Sequence, residues 1–206
     1  MEKNIPGSEV LQLCLDFANT MDWHASEHPS ETLLVYADLV AWAQRIHLIS
    51  DLVAQGLLQR AENEPAAAAA ALAQAIVWRE AIYRIFSAIA AERPIITADL
   101  TALNAAISVA YPHLQLVASG AEFAWGWTGT EDDWARMLWP VVRSAAELLT
   151  SPLLTRVREC ADEQGCGYLF FDLTRNRSRR WCSMERCGNR AKARRHYKRQ
   201  REATEL

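Results

Sequence analysis

Four cysteines in the last quarter of the chain have residue types and spacings that could do chemistry. Cys160 and Cys166 form one close pair, and Cys182 and Cys187 form a second pair after an interval of fifteen residues. Thiolates are soft ligands, and a structural zinc site closes with four such ligands. The spacing therefore predicts that these four sulfurs bind Zn²⁺. Unligated or redox cysteines and an iron–sulfur cluster remain the alternatives.

Glycines next to the cysteines favour the same interpretation. Gly165 and Gly167 flank Cys166, and Gly188 follows Cys187. Glycine lets the chain turn tightly enough for backbone N–H groups to approach sulfur. A knuckle, then a hairpin, then the start of a helix is the treble-clef arrangement. So small a unit would draw much of its folding free energy from the metal.

The segment around the last two cysteines is strongly cationic. Twelve Lys and Arg lie between Arg175 and Arg201, and Glu202 is the single acid from Cys187 to Ala203. A solvated helix normally alternates its charges, whereas an arginine fork donates in pairs to phosphate. Phosphate contacts release counterions and make affinity salt-dependent. The segment is therefore predicted to bind nucleic acid, and its candidate residues are Arg177, Arg179, Arg180, Asn189, Arg190, Lys192, Arg194, Arg195, Lys198, Arg199 and Arg201.

Helical periodicity divides the cations of the last helix between two stripes about 60° apart. If the start of this helix enters a major groove, Asn189 and Arg190 are the candidates for reading base edges. The alternative for Asn189 is a cap, or a hydrogen bond that braces the metal loop. One stripe holds Arg190, Arg194, Lys198 and Arg201, and the other holds Lys192, Arg195 and Arg199.

Charge is divided unevenly along the 206 residues. Residues 151–206 carry 14 Lys and Arg against 7 Asp and Glu, whereas residues 1–150 carry 8 against 18. This asymmetry predicts an acidic domain over residues 1–150 and a basic, polyanion-binding module over residues 151–206. The start of the chain lacks the apolar region of a signal peptide, and no apolar run is long enough to span a membrane. We expect a cytoplasmic protein in which disulfides are improbable.

Hydrophobic periodicity predicts an α+β fold class, with a mainly helical N-terminal domain that contains a small β-hairpin, followed by a treble-clef zinc finger. Residues 10–20 fit either a helix or a strand, and residues 21–31 fit a loop. Thr130 with Asp133 resembles a capping box that opens a helix, and Thr97 or Asp99 could cap another. Helices are predicted over 33–46, 49–61, 65–91, 98–110, 130–149 and from 185 onward, and strands over 113–119, 122–128, 168–172 and 180–182.

Arg79 is the candidate for a ligand site in the acidic domain. It lies on an otherwise apolar helical stripe and, if buried, needs a partner such as Asp16. A site is predicted where Asp16, Asn19 and Arg79 meet a tryptophan such as Trp42 or Trp125. The alternative is a purely structural ion pair. Cys14, in an apolar segment, is expected to be a small buried hydrophobe.

The run from Arg179 to Arg195, with Cys187-Gly188-Asn189-Arg190 at its centre, closely resembles the CGNR zinc-finger family. The segment from Leu13 to Thr20 resembles the opening of the ABATE domain that usually precedes this finger. The resemblance implies a bacterial, stress-linked transcription regulator. Its C-terminal treble clef would bind DNA, and its N-terminal domain would bind an unknown ligand. The zinc positions of the family map onto Cys160, Cys166, Cys182 and Cys187.

Three functions compete at this point. The first is a DNA-binding regulator whose N-terminal domain senses a ligand or forms a homodimer, because a single finger would bind weakly. The second is an RNA- or protein-binding adaptor. The third is an enzyme, with candidates Asp16, Asn19, Arg79, Glu80 and Asn104. No nucleophile–base pair, phosphate loop or second metal motif is visible, so we expect no enzymatic activity.

Overall fold

The computed structural model describes residues 8–120, 122–129 and 133–204, and within them helices pack around one long helix, α4. The helices are α1 (Ser8–Ala18), α2 (Tyr36–Arg45), α3 (Asp51–Asn63), α4 (Pro65–Ala90), α5 (Thr97–Ala110), α6 (Trp139–Leu149) and α7 (Asn189–Thr204). The antiparallel strand pairs are β1 (Met21–Asp22) with β2 (Ser30–Glu31), β3 (Leu114–Ser119) with β4 (Glu122–Trp127), and β5 (Val157–Glu159) with β6 (Leu169–Phe171). The predicted fold class is confirmed.

The composition of α4 explains why it forms the centre. Pro65 occupies its first turn, where the missing N–H costs no hydrogen bond, and the alanines that follow favour helix strongly. Its second half is buried on several sides, with Ile82, Ile85 and Phe86 completely enclosed. This half packs against neighbouring helices and against the β5–β6 pair. None of the described helices combines the length and apolar character needed to cross a membrane.

The segment that could be helix or strand is a helix, α1. Cys14 lies on its completely buried side, and its backbone N–H donates to the Ser144 hydroxyl over 3.0 Å. Burial raises the pKa of the Cys14 thiol to about 12. The expected role of Cys14 as a small core residue is thus confirmed.

One predicted helix start and one predicted helix cap are wrong. The last helix of the N-terminal region begins at Trp139 and follows a short 3-10 helix, Arg136–Leu138. Asp133 opens a turn instead, because its carboxylate accepts the Ala135 N–H at 2.7 Å; its proposed partner Thr130 lies outside the described residues. Asp99 does not cap α5, since its buried carboxylate accepts hydrogen bonds from Arg84.

The β5–β6 pair attaches the cysteine-containing region to the helices. Val157, Leu169 and Phe171 belong to the same hydrophobic cluster as the buried residues of α1 and α4. The Asn19 side chain, at the end of α1, makes two hydrogen bonds to the backbone of β6. Its amide donates to the Leu169 carbonyl and its carbonyl accepts the Leu169 N–H, each over 2.8 Å. The two regions therefore share one core.

A buried ion-pair network ties the β1–β2 loop to α4. Arg79 is 0% exposed, and its guanidinium donates to both oxygens of Glu31 at 2.6 Å and to Glu80 at 2.9 and 3.1 Å. The other oxygen of Glu80 is 2.9 Å from His24, whose ring stacks on Tyr83. A guanidinium cannot lose its proton on burial, so it must keep these carboxylates beside it.

Replacing the buried guanidinium should destabilise the fold strongly. Arg79→Ala leaves two carboxylates without their cation, and we expect a loss of about 3–5 kcal/mol in the free energy of unfolding, measured by urea denaturation. Arg45→Ala, at an exposed site in the last turn of α2, is the matched control, with an expected change within about 0.5 kcal/mol. Similar losses for the two variants would show that the network does not stabilise the fold.

The same network should make the free energy of unfolding depend on pH. Burial opposes ionisation of Glu31, but the hydrogen bonds from Arg79 and from the Leu33 N–H lower its pKa overall, below the ordinary 4.5. The ionised form is therefore favoured by folding, and its contribution is lost as the pH falls through the folded pKa. Wild type should exceed Glu31→Gln in free energy of unfolding at about pH 6, and the difference should shrink towards about pH 3. A difference that stays constant over this range would contradict the assignment.

Candidate metal centre

The four C-terminal cysteine sulfurs converge on one point. All of their Sγ atoms lie within 4.8 Å of one another; Cys166 and Cys182 are 3.8 Å apart, and Cys182 and Cys187 are 3.6 Å apart. A tetrahedral ion with sulfur ligands at about 2.3 Å places them about 3.8 Å apart. Disulfide sulfurs would be about 2.05 Å apart, so these cysteines are not cross-linked. The cluster fits a single metal ion held by four thiolates.

Local backbone structure brings the first pair to this point. Cys160 directly follows β5, and its N–H donates to the Tyr168 carbonyl at 2.9 Å. The five residues between Cys160 and Cys166 form a turn in which the Gly165 N–H donates to the Asp162 carbonyl at 2.9 Å. The wide spacing of this pair is therefore accommodated by a hydrogen-bonded turn.

The second pair is arranged by a loop and a helix start. The Cys182 N–H points at the Cys160 sulfur, 3.4 Å away. Cys187 lies in a single π-helical turn, Met184–Gly188, and the Ser183 hydroxyl caps this turn by accepting the Arg186 N–H at 3.3 Å. This turn runs directly into α7, so the position of the basic helix is set by the metal site.

Gly165 and Gly167 allow the backbone to turn, and they also allow it to lie very close to a neighbouring loop. Both have positive φ, 83° and 67°, which disfavours other residues. A Cβ at Gly165 would lie 2.5 Å from the Ser26 Cα, and one at Gly167 would lie 2.6 Å from the Ala25 nitrogen. The metal knuckle is thus packed directly against the β1–β2 loop.

The predicted strand over 180–182 is wrong. This segment makes one backbone hydrogen bond to the knuckle, from the Ala161 N–H to the Arg180 carbonyl, and is otherwise a loop. Arg179 holds the loop in place by donating to the carbonyls of Trp181 and Cys182. The guanidinium of Arg179 also lies 4.7 Å from the centre of the Phe170 ring. Arg179 therefore braces the metal loop, and its predicted contact with nucleic acid stays a prediction.

The first two residues of one predicted cationic stripe, Arg190 and Arg194, turn inward. Arg190 and Arg194 both form ion pairs with Asp162, whose carboxylate is completely buried; the Arg190 Nε lies 3.0 Å from Asp162 Oδ2. Arg190 also donates to the Cys187 sulfur at 3.1 Å and lies 4.5 Å from the Trp23 ring. These ion pairs join both arginines to the finger's own interior, and their predicted contact with nucleic acid stays a prediction. Sequence reasoning missed Asp162, although an acid inside the cysteine turn beside a basic helix was the available signal.

Lys192 and Arg195, from the other predicted stripe, are exposed. The Arg195 Nε reaches the Ala191 carbonyl of its own helix at 3.4 Å, and the amide of Asn189 donates to the Glu185 carbonyl at 3.3 Å. Asn189 thus makes a hydrogen bond that braces the metal loop, which was the alternative to its reading of base edges. The side chains of Lys198 and Arg199 lie outside the described part of the chain. The predicted contact residues that the structure leaves exposed are Arg177, Arg180, Lys192, Arg195 and Arg201.

The three predicted ligand-binding residues have separate partners. Asp16 accepts a hydrogen bond from Gln12, Asn19 binds the β6 backbone, and Arg79 binds Glu31 and Glu80. The predicted Asp16–Arg79 pair is therefore wrong, because Glu31 of β2 and Glu80 supply the carboxylates that bind Arg79. Trp42 packs in the core on Phe17, whereas Trp125 is exposed on β4.

Comparison with known families agrees with this architecture. Residues 156–200 match the model of the CGNR zinc finger, and residues 11–152 match the ABATE model, described as a "putative stress-induced transcription regulator". No curated protein is significantly similar to the chain. The ABATE match alone covers well over half of the 206 residues. The chain therefore belongs to the ABATE family and carries a CGNR zinc finger at its C-terminal end.

Proposed function

We propose that this protein is a DNA-binding transcription regulator of the cytoplasm. A Zn²⁺-bound finger presents α7 to the DNA backbone, and the helical N-terminal domain senses a ligand or pairs two copies. The observation that carries this proposal is the cationic surface that stays exposed after the internal ion pairs of Arg190 and Arg194 are formed. The family description supports a regulatory role.

The donor set supports zinc as the metal. Four thiolates and no oxygen ligand suit Zn²⁺, and a bound Zn²⁺ would cross-link the knuckle to the helix start. The Arg190 guanidinium would offset part of the negative charge of the Cys187 thiolate, to which it donates. Four sulfurs complete tetrahedral coordination, so no position is open to substrate and a catalytic role is not part of this function.

The exposed cations suit a phosphate backbone. Lys192 and Arg195 lie on the outward side of α7, and Arg177 and Arg180 are exposed on the loop that precedes Cys182. Contacts of this kind position a protein on DNA but carry little sequence information. Asn189 is already hydrogen-bonded to the turn that precedes it, so it supports the helix start. Sequence preference would then come from two fingers bound at a defined spacing.

Metal content tests the assignment of zinc. Purified wild type should contain one zinc per chain by mass spectrometry, because four cysteines form one site. Cys187→Ser should lower the zinc content and make the chain beyond residue 151 sensitive to protease. Cys14→Ala, which removes a buried thiol remote from the cluster, should keep its zinc. Full zinc occupancy in Cys187→Ser, or iron in place of zinc, would overturn the assignment.

Salt-dependent binding tests the DNA interface. Lys192→Ala/Arg195→Ala should weaken binding to duplex DNA roughly tenfold at low salt and reduce the salt slope by about 2, since two phosphate contacts are lost. Arg45→Ala/Arg93→Ala removes the same charge from exposed sites on the N-terminal domain and should bind like wild type. Absence of duplex binding by wild type even at low salt would refute the proposal. Preferential binding of structured RNA in competition would favour the adaptor function instead.

A further inference from the structure

The β3–β4 hairpin presents a large apolar face to solvent. Its register places Leu116 opposite Trp125 and Ala118 opposite Phe123, so these side chains project from the same face. Leu116 is 62% exposed, Phe123 77% and Trp125 53%. Exposed aromatic residues grouped in this way are typical of the anchor residues of protein interfaces.

The hairpin root is held firmly, so this face has a fixed direction. Trp127 lies 5.8 Å from the buried ring of Trp139, and His113 stacks on the same ring at 4.0 Å. The Thr128 N–H donates to the His113 carbonyl at 2.7 Å. Exposure then rises towards the tip, where Phe123 lies. A two-stranded ribbon of this kind gains stability when its apolar face is covered.

The charge distribution favours a second copy of this chain as the partner that covers the apolar face of the hairpin. Residues 1–150 carry a net charge of −10, but Glu122 is the single Asp, Glu, Lys or Arg between residues 111 and 129. Two copies would repel each other across most of this acidic surface and least at the hairpin, where Glu122 is the single acid and the Arg143 guanidinium lies 5.0 Å from the centre of the Trp125 ring. A cationic partner would instead be drawn to the acidic remainder. The outer edges of β3 and β4 are also unpaired within the described part of the chain, so they can meet an identical ribbon.

We propose that the Leu116–Phe123–Trp125 face of the hairpin packs against the same face of a second copy and forms a two-fold symmetric dimer. An isologous contact uses one patch twice, so aromatic rings of each copy cover apolar side chains of the other. The dimer would carry two fingers on one particle. In this last respect the inference rests on the proposed function, which requires two fingers for useful affinity.

Sedimentation velocity of the zinc-loaded full chain over micromolar to sub-millimolar concentrations tests the dimer. Wild type should sediment at twice the chain mass of 23.2 kDa. Leu116→Ser/Phe123→Ser should be monomeric with an unchanged far-UV circular dichroism spectrum. Leu34→Ser/Leu52→Ser is the matched control, because these leucines are 73% and 75% exposed elsewhere on the molecule, and it should stay dimeric. Phe123→Glu, which places two carboxylates near the axis, should also be monomeric if the serine variant fails to fold.

Monomeric wild type throughout this range, or a dimer that survives both hairpin changes, would overturn the inference. DNA binding is read separately. Lys192→Ala/Arg195→Ala should remain dimeric while losing DNA affinity, and the monomeric hairpin variant should still bind a short duplex at low salt, more weakly than wild type. A dimer that binds no DNA would leave the hairpin contact standing and remove the proposed function. Monomeric wild type that binds DNA would remove the hairpin contact and leave the proposed function standing.

Discussion

Four cysteine sulfurs placed closely enough to share one ion would concentrate negative charge in a small volume, and the surrounding chain is arranged to balance it. Zn²⁺ with four thiolates carries a net charge of −2, which is costly unless donors surround it. The Cys182 N–H points at one sulfur and the Arg190 guanidinium at another. Arg190 is in turn held by the buried carboxylate of Asp162. The start of the basic helix is thus part of the metal site's own electrostatics.

This arrangement divides the cations of α7 between two roles. Arg190 and Arg194 neutralise Asp162 and join the helix to the knuckle, whereas Lys192 and Arg195 face solvent. A count of basic residues therefore overstates the charge available to a polyanion. Because the inward pair fixes how α7 is rotated about its axis, it also decides which cations form the outer surface.

Features set by local spacing could be predicted from the sequence. The cysteine pairs, the alanine-rich α4 with Pro65 at its start, and the hairpin around Gly120 all follow from short-range patterns. Features set by long-range contacts could not. The main partner of Arg79 is Glu31, 48 positions away in the short strand β2, and no periodicity reveals that approach. The inward use of Arg179 and the late start of α6 depend likewise on neighbours that only the folded chain supplies.

The β5–β6 pair gives the molecule a property that separate domains joined by a linker would lack. Val157, Leu169 and Phe171 insert into the packing of α1 and α4, and Asn19 fastens the β6 backbone. The finger therefore cannot rotate freely relative to the helices of the N-terminal region. A shift of α1 or α4 would be conveyed to the four-cysteine cluster through close-packed atoms. Grafting this finger onto an unrelated partner would require a replacement for that shared packing as well as for the finger itself.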